Sequence, residues 1–277
     1  MISVSILMEN SLVGHRGLKT EHGLSFLIED EGQSILFDTA SSPFFLNNAI
    51  SLKKDLSKVT SVVLSHPHYD HTGGFRSFVD QWKTTEKKLY TGKDFFLDRF
   101  EANTFSLTYL GNSFSEKYLE ENGIVWNCVK TFTKISEHCF VVSGFRQLNE
   151  LETVPPQFKK KYEDSLLQDN FSDECSIVVE ASDGLHVIVG CAHIGILNII
   201  EQISCLFSQS VKAVYGGIHL MNSTRGEIEA VIDRLTNLGV EKCGLCHCSG
   251  RIVYESLCNH AKSIDAATLG SGSMLFL

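Results

Sequence analysis

Apolar residues along the chain fall into short dense runs separated by polar turns, with longer stretches of helical period between them. "ISVSILM" is the first such run. "LSFLIEDEGQSILFD" holds two more, joined by the polar turn "EDEGQ", so three strands are predicted before Asp38. "TASSPFFLNNA" then leads into a short helix. "VTSVVLSH" is a β-branched strand ending at His66, "GGFRSFVDQW" opens a helix, and "KKLYTG" adds a strand. In the last third, "CSIVVEASDGLHVIVGC" predicts a hairpin turning at "SDG", "GILNIIEQISCLF" a largely buried helix, and "VKAVYGG" a strand. "TRGEIEAVIDRLTNLG" is a helix stopped by Gly239, and "VEKCGLCHCSG" with "RIVYESLCNHA" gives a last strand and helix. Residues 93–172 carry only short β-like pieces, "GIVWNCV" and "HCFVVSG", and the segment "PPQFKKKYEDSLLQDNF", whose charge and paired prolines predict a loop or lid. Strands alternating with covering helices predict a layered α/β fold. With no internal repeat and no linker, residues 1–277 are expected to form one domain, with 93–172 as a variable pocket wall.

Composition narrows the class. Hydrophobic residues at 43% and only 4 prolines exclude a mostly disordered chain. A formal charge of -9 excludes unselective nucleic-acid binding, which needs a basic footprint. A small anionic substrate stays compatible, because a bound cation dominates its local field. "MISVSILMEN" has no basic segment ahead of its apolar run and reads as a strand, not a signal peptide. No run nears the roughly 18 apolar residues that span a bilayer. A cytoplasmic protein with a small-molecule partner is expected, without nucleic acid or membrane; the oligomeric state, homo-oligomer included, stays open. The nine cysteines are odd in number and dispersed, so Cys128, Cys139, Cys175, Cys191 and Cys205 read as small buried hydrophobes. Cys243, Cys246 and Cys248 in "CGLCHC" lack the second pair of a zinc knot, which leaves His247 as the telling residue there.

The candidate chemistry lies at strand ends. "SHPHYDHTGGF" sets His66 and His68 two apart, with Asp70 and His71 directly after, where a buried strand gives way to a loop. In a regular strand alternate side chains share a face. In a loop at the strand's C-terminal edge, the same spacing lets His66 and His68 converge on one ion while Asp70 and His71 reach a neighbouring one. Imidazole and carboxylate suit zinc, manganese or iron. Gly73 and Gly74 let the chain turn sharply into the next helix. His193 in "VIVGCAHIG", His219 in "VYGGIHL" and His247 in "GLCHCSG" each follow an apolar strand, which makes an idle surface cluster the weaker reading. His15, His138, His186 and His260 lack that setting and read as ordinary surface or structural residues.

With those residues in place, "SHPHYDHTGG" resembles the HxHxDH motif of the metallo-β-lactamase superfamily, and "SILFDTA" is similar to its upstream LFDTG element. "EHGLSFLIE", "DECSIVVE", "GCAHIGILNII" and "YGGIHL" resemble a narrower branch that includes archaeal synthases of a dihydropterin-linked ribofuranosylaminobenzene 5′-phosphate. The resemblance implies a four-layer αββα sandwich with a dinuclear site at the sheet edges. It implies His66 and His68 on the first ion, Asp70 and His71 on the second, and His247 as the second ion's terminal histidine. Asp38 is implied as a carboxylate that orients a ligand histidine or a loop backbone. The chain departs from the family where the first site's third histidine is expected, since Asp173 and Glu174 stand there in "SDECS". Cys191 stands where a bridging carboxylate ends the second strand of the pair. His193 is the substitute ligand. Cys191 and Asp173 are open as further ligands, with Cys191 alternatively a packing residue, and His219 is either a ligand or a substrate contact.

Two adjacent divalent ions, zinc foremost with manganese or iron as alternatives, bring the pKa of a bound water from about 15.7 towards roughly 7. The expected activity is therefore hydrolysis by a metal-activated hydroxide, with Asp70 as the catalytic carboxylate that orients it and takes a proton. No G-x-S-x-G elbow or P-loop lysine motif competes. The subfamily resemblance implies a small, anionic or phosphorylated metabolite, cleaved at a phosphodiester or related bond. The competing classes are a pterin-pathway synthase-like enzyme, an iron-dependent redox member, and a non-catalytic metal-binding module. The intact HxHxDH ligands weigh against the last.

Overall fold

The computed structural model describes residues 2–14, 17–83 and 86–277; His15 lies outside the described residues. The first third forms β1 (Ser3–Met8), β2 (Ser25–Asp30), β3 (Gln33–Phe37), α1 (Phe44–Ser51), β4 (Val59–Val63), α2 (Tyr69–Thr72), α3 (Phe75–Gln81) and β5 (Lys88–Gly92). The middle forms β6 (Arg99–Ala102), β7 (Leu107–Tyr109), α4 (Glu116–Glu121), β8 (Val125–Val129), β9 (Phe132–Lys134), β10 (Cys139–Val142), β11 (Phe158–Tyr162) and β12 (Ser165–Gln168). The last third forms β13 (Ser176–Ala181), β14 (Gly184–Val189), α5 (Ile196–Phe207), β15 (Val211–Gly216), α6 (Arg225–Asn237), β16 (Lys242–Leu245), α7 (Arg251–His260), β17 (Asp265–Thr268) and β18 (Met274–Phe276).

Most of these strands join two seven-stranded sheets, ordered β18-β1-β2-β3-β4-β5-β8 and β17-β16-β15-β14-β13-β10-β9. Side-chain alternation sets the layers. Phe26, Ile28 and Phe37 pack with Ile177, Val179 and Ile188 between the sheets. Leu27 and Leu36 point outward, onto Phe45 of α1 and Phe75 and Phe78 of α3. Val178, Val187 and Val189 point the other way, onto Ile199, Ile232 and Val253 of α5, α6 and α7. The order is the expected αββα sandwich. Each fully buried Val, Leu, Ile or Phe contributes roughly 1.5–3 kcal/mol, so these three clusters make both sheets stiff supports for the loops at their rims. Among the described residues no helix is long and apolar enough to cross a membrane.

Register brings the chemistry-bearing loops to the C-terminal ends of parallel strands. Phe37 pairs with Val63 in the first sheet, while Val189 pairs with Gly216 and Gly216 with Leu245 in the second. Asp38, His66, His193, His219 and His247 all follow those positions within a few residues. Asp38, His219 and His247 take φ of 59°, 49° and 53°. That left-handed conformation is uncommon for residues with side chains, turns the chain sharply off its strand, and clusters at functional sites.

Several expectations are corrected. The region 93–172 divides: β8 extends the first sheet, β9 and β10 extend the second, and β6, β7, β11 and β12 form a separate four-stranded sheet. "PPQFKKKYEDSLLQDNF", expected as a loop or lid, contains the hairpin β11–β12. Its strands are held by pairing with each other and with β6, while Tyr162, Leu166 and Leu167 stay exposed, so no apolar alternation marks them. The strand and helix expected to be last are followed by β17 and β18, too short to show a period and placed by pairing with β16 and β1. Cys128 and Cys205 are exposed, unlike Cys139, Cys175 and Cys191. Gly73 and Gly74 take no special turn. A Cβ on Gly73 would meet the Ser41 carbonyl oxygen at 2.1 Å and one on Gly74 that of Thr39 at 2.3 Å, so close approach is what requires glycine. Of the ordinary histidines, His138 pairs with Asp30, His186 with Asp183 and His260 with Asp233.

Candidate metal centre

Asp38 organises the base of the site from complete burial. Its Oδ1 accepts the Ser65 backbone N–H at 2.7 Å, and its Oδ2 accepts the Ser65 hydroxyl at 2.7 Å and His71 Nδ1–H at 2.6 Å. With its proton committed to Asp38, the Ser65 hydroxyl accepts from His66 Nδ1–H at 2.9 Å. This network assigns the proton of both imidazoles to Nδ1 and leaves each Nε2 lone pair free, the tautomer that a metal ligand needs.

The free nitrogens converge. His66, His68 and His193 bring their ligand atoms within 4.8 Å of one another. His66 Nε2 and both ring nitrogens of His193 are buried without a hydrogen-bond partner, which costs about 1–3 kcal/mol per group unless a cation takes the lone pair. Burial, reinforced by neighbouring histidines, holds His66 and His193 well below the usual imidazole range and His68 at about 3. Neutral imidazole is the metal-binding form. The His193 ring is fixed by stacking on Phe171 at 4.2 Å, and its backbone N–H and that of Ile194 donate to Glu174 at 2.9 and 3.1 Å. Burial pushes Glu174 up to about 8 against those two hydrogen bonds.

Beside this group lies Asp70, whose Oδ2 is 3.1 Å from His22 Nε2, 3.2 Å from His247 Nε2 and 3.6 Å from His71 Nε2. Burial opposes the Asp70 charge, but His71, His22 and His247 outweigh it and hold the carboxyl well below its usual range. Burial likewise opposes charge on His71, and Asp38 and Asp70 overcome it and raise its pKa. Cys191 Sγ stands 3.2 Å from His71 Nε2. It forms one ligand group with His66 and His71 and another with His247 and Cys248. Imidazole, carboxylate and thiol donors in this density fit zinc, manganese or iron.

His66, His68, Asp70, His71, His193 and His247 are thus brought together, with Asp38 beneath them. His219 stands beside them, its ring 4.2 Å from that of His193 and outside the ligand groups. The ligand expectation for Asp173 is corrected: its Oδ2 is bound to Arg99 Nη2 at 2.7 Å, while Asp169 binds Arg99 Nε at 2.7 Å. All three are buried, and that pairing takes the carboxylate that a metal would need. Ser65, His22 and the support given by Glu174 escape sequence reasoning. The motif "SHPHYDH" does contain Ser65 and "EHGLS" does contain His22, but neither spacing announces a partner.

A cavity of about 390 Å³ opens beside His193 and His219, walled by Phe158, Leu220 and Asn222. Its lining includes Glu101, Glu152 and Glu227 and, among the described residues, no lysine or arginine. Another hollow, of about 370 Å³, adjoins Gln33, Thr60 and Lys88 at the N-terminal ends of β3, β4 and β5. Ligands of such sheets bind at the carboxyl ends of the strands, which selects the first cavity.

Comparison with known proteins agrees with this geometry. The sequence model of the metallo-β-lactamase superfamily matches residues 18–155. The chain is 29% identical over 242 residues to 7,8-dihydropterin-6-methyl-4-(β-D-ribofuranosyl)-aminobenzene-5′-phosphate synthase of Methanocaldococcus jannaschii, covering 83% of this chain and 82% of that one. The crystal structure of a metal-dependent hydrolase of the β-lactamase superfamily matches with a TM-score of 0.86 and 28% identity, over 100% of this chain and 99% of that one. A metallo-β-lactamase fold protein from Bacillus subtilis shares the fold alone, with a TM-score of 0.59 and 10% identity over 100% of both chains. On sequence motif, sheet order and site placement together, the chain belongs to the metallo-β-lactamase superfamily.

Proposed function

We propose that the protein is a metal-dependent hydrolase that holds two divalent ions, zinc foremost, and acts on a small anionic or phosphorylated molecule. His66, His68 and His193 hold the first ion; Asp70, His71 and His247 hold the second. When bound, such a pair supplies electrophilic polarisation of the scissile bond and a hydroxide nucleophile at neutral pH. The chain does the positioning. Asp38 and Ser65 fix the tautomers of His71 and His66, Glu174 fixes the loop of His193, and Phe158 and Phe171 exclude water from the ring faces of His68 and His193. Asp70 orients the attacking water and accepts its proton. Because the cavity carries carboxylates and, among the described residues, no lysine or arginine, the anionic group of the substrate belongs at the ions and its uncharged body lies against Phe158 and His219. The net charge of -9 supports a small molecule over a nucleic acid as partner.

The observation that carries this reading is the set of buried imidazole nitrogens without partners at His66 and His193, with the His66 ring 4.2 Å from that of His71. A second reading, a synthase-like enzyme of pterin metabolism on the same site, is favoured by the 29% identity to the archaeal synthase over 83% of the chain. Protein purified without chelators is expected to carry metal and to cleave bis(p-nitrophenyl) phosphate. Chelation should abolish turnover, and zinc, manganese or iron should restore it. Protein that takes up no metal and stays inactive with all three would overturn the hydrolase reading.

A further inference from the structure

His22 has no part in the chemistry proposed so far, yet it points into it. It lies in the loop between β1 and β2, with its side chain 57% exposed, and its Nε2 stands 3.1 Å from Asp70 Oδ2. The same oxygen is 3.2 Å from His247 Nε2 and 3.6 Å from His71 Nε2. Two donors on one tetrahedral ion, each about 2.0–2.2 Å from it, lie roughly 3.3–3.6 Å apart. His71 Nε2 fits that spacing, and His22 Nε2 and His247 Nε2 stand just inside it. His22, Asp70 and His247 bring their ligand atoms within 4.8 Å of one another, close enough to share an ion.

The loop is built to hold His22 there. Leu24 N–H donates to the Asp70 carbonyl oxygen at 3.1 Å. A Cβ on Gly23 would meet that same oxygen at 2.7 Å and Ser41 N at 2.8 Å, so only glycine lets the chain beside His22 lie against the Asp70 backbone. On the other side, Asn10 Oδ1 accepts from His247 Nδ1–H at 3.0 Å and from Gly23 N–H at 3.3 Å, which couples the two histidine loops through one amide. The His22 and His247 rings lie 4.9 Å apart at 31°. The Asn10 Nδ2 contact with His22 Nδ1, at 3.5 Å, is weak, so a cation can displace the proton through which Nε2 meets Asp70.

We infer that His22 is a protein ligand of the second ion, joining Asp70, His71 and His247; the inference rests on the two-ion reading above. It has a functional consequence. The second ion then has four protein donors, Asp70 and three histidines, against the three histidines of the first, so the more open coordination belongs to the first ion. That is the ion held by His193, which lines the substrate cavity.

The test is a titration of metal-free protein with Zn²⁺ against a chromophoric chelator, repeated with Co²⁺ to read coordination from the visible absorption. Wild type and His22→Ala are compared, and because His22 is exposed the metal-free variant is expected to unfold at the wild-type temperature. Support is two equivalents in wild type, with the second alone weakened in H22A by more than the roughly 10–100-fold of an orienting partner and its cobalt spectrum changed. Two equivalents bound by H22A with wild-type affinity and spectrum would overturn the His22 assignment while leaving the two-ion reading standing. Fewer than two equivalents in wild type would overturn both.

Discussion

Asp38→Asn isolates what the buried carboxylate contributes. The change keeps size and shape, and asparagine tolerates the left-handed φ of 59° at this position about as well as aspartate does. It removes one acceptor of a group that takes three hydrogen bonds at 2.6–2.7 Å. With the amide nitrogen at the Oδ2 position, it faces the Ser65 hydroxyl and His71 Nδ1–H, and His71 must move its proton to Nε2, where the ion should bind. With the amide nitrogen at the Oδ1 position, it faces the Ser65 backbone N–H instead. Either way one donor confronts another and the negative charge behind His71 is gone. Losing an orienting partner of a ligand histidine costs about 10–100-fold in metal affinity, or about 1.4–2.7 kcal/mol. The donor conflict costs the metal-free fold about 1–3 kcal/mol, which for 277 residues lowers Tm by roughly 2–5 °C. Zinc titration against a competing chelator should show the second equivalent weakened in D38N, and the first less so because His66 meets Asp38 only through Ser65. A D38N protein that binds the second ion like wild type would refute the orienting role.

Three further outcomes follow from the same geometry. Arg99→Met leaves Asp169 and Asp173 buried without their shared cation and should cost about 3–5 kcal/mol in urea unfolding; a loss under about 1 kcal/mol would contradict the pairing. Cobalt-substituted wild type should show a thiolate charge-transfer band that Cys191→Ser lacks and Cys248→Ser keeps, and a band surviving C191S would remove Cys191 from the site. In metal-free protein, His68 titrates at about 3 when folded against about 6.5 when unfolded, and burial depresses His66 and His193 in the same direction. The unfolded chain then binds protons at these histidines that the folded one does not, so their contribution to stability is full above about pH 6.5 and falls as pH drops towards 3, by up to about 1.4 kcal/mol per pH unit each. Glu174 and His71, whose pKa values are raised, act in the opposite sense, so the check is NMR titration of the folded metal-free protein, and a His68 imidazole that titrates at about 6.5 there would refute it.

The fold was legible where burial writes a period. β-Branched runs such as "VTSVVL" and the alternation of "SIVVEASDGLHVIV" report two-sided packing, and α5 shows its buried Ile196, Ile199, Ile200 and Ile203 at helical spacing. β11, β12, β17 and β18 were not legible, because their strands are fixed by backbone pairing and bury little apolar surface. The site divides in the same way. His66, His68, Asp70 and His71 are close in sequence and so visible together, and His193 and His247 show as histidines after apolar strands. His22 lies 48 positions from Asp70 and 225 from His247, follows no apolar strand, and meets them only when two loops fold onto one rim. Asp173 misled because its neighbours in sequence do not reveal Arg99, 74 positions away.

Whether two ions sit side by side in this rim is decided by diffraction from crystals of protein purified without chelators, recorded across the zinc, iron and manganese edges. Two anomalous peaks per chain are expected, one within bonding distance of His66, His68 and His193 and the other of Asp70, His71 and His247. A single peak, or metal bound away from these residues, would contradict the two-ion site.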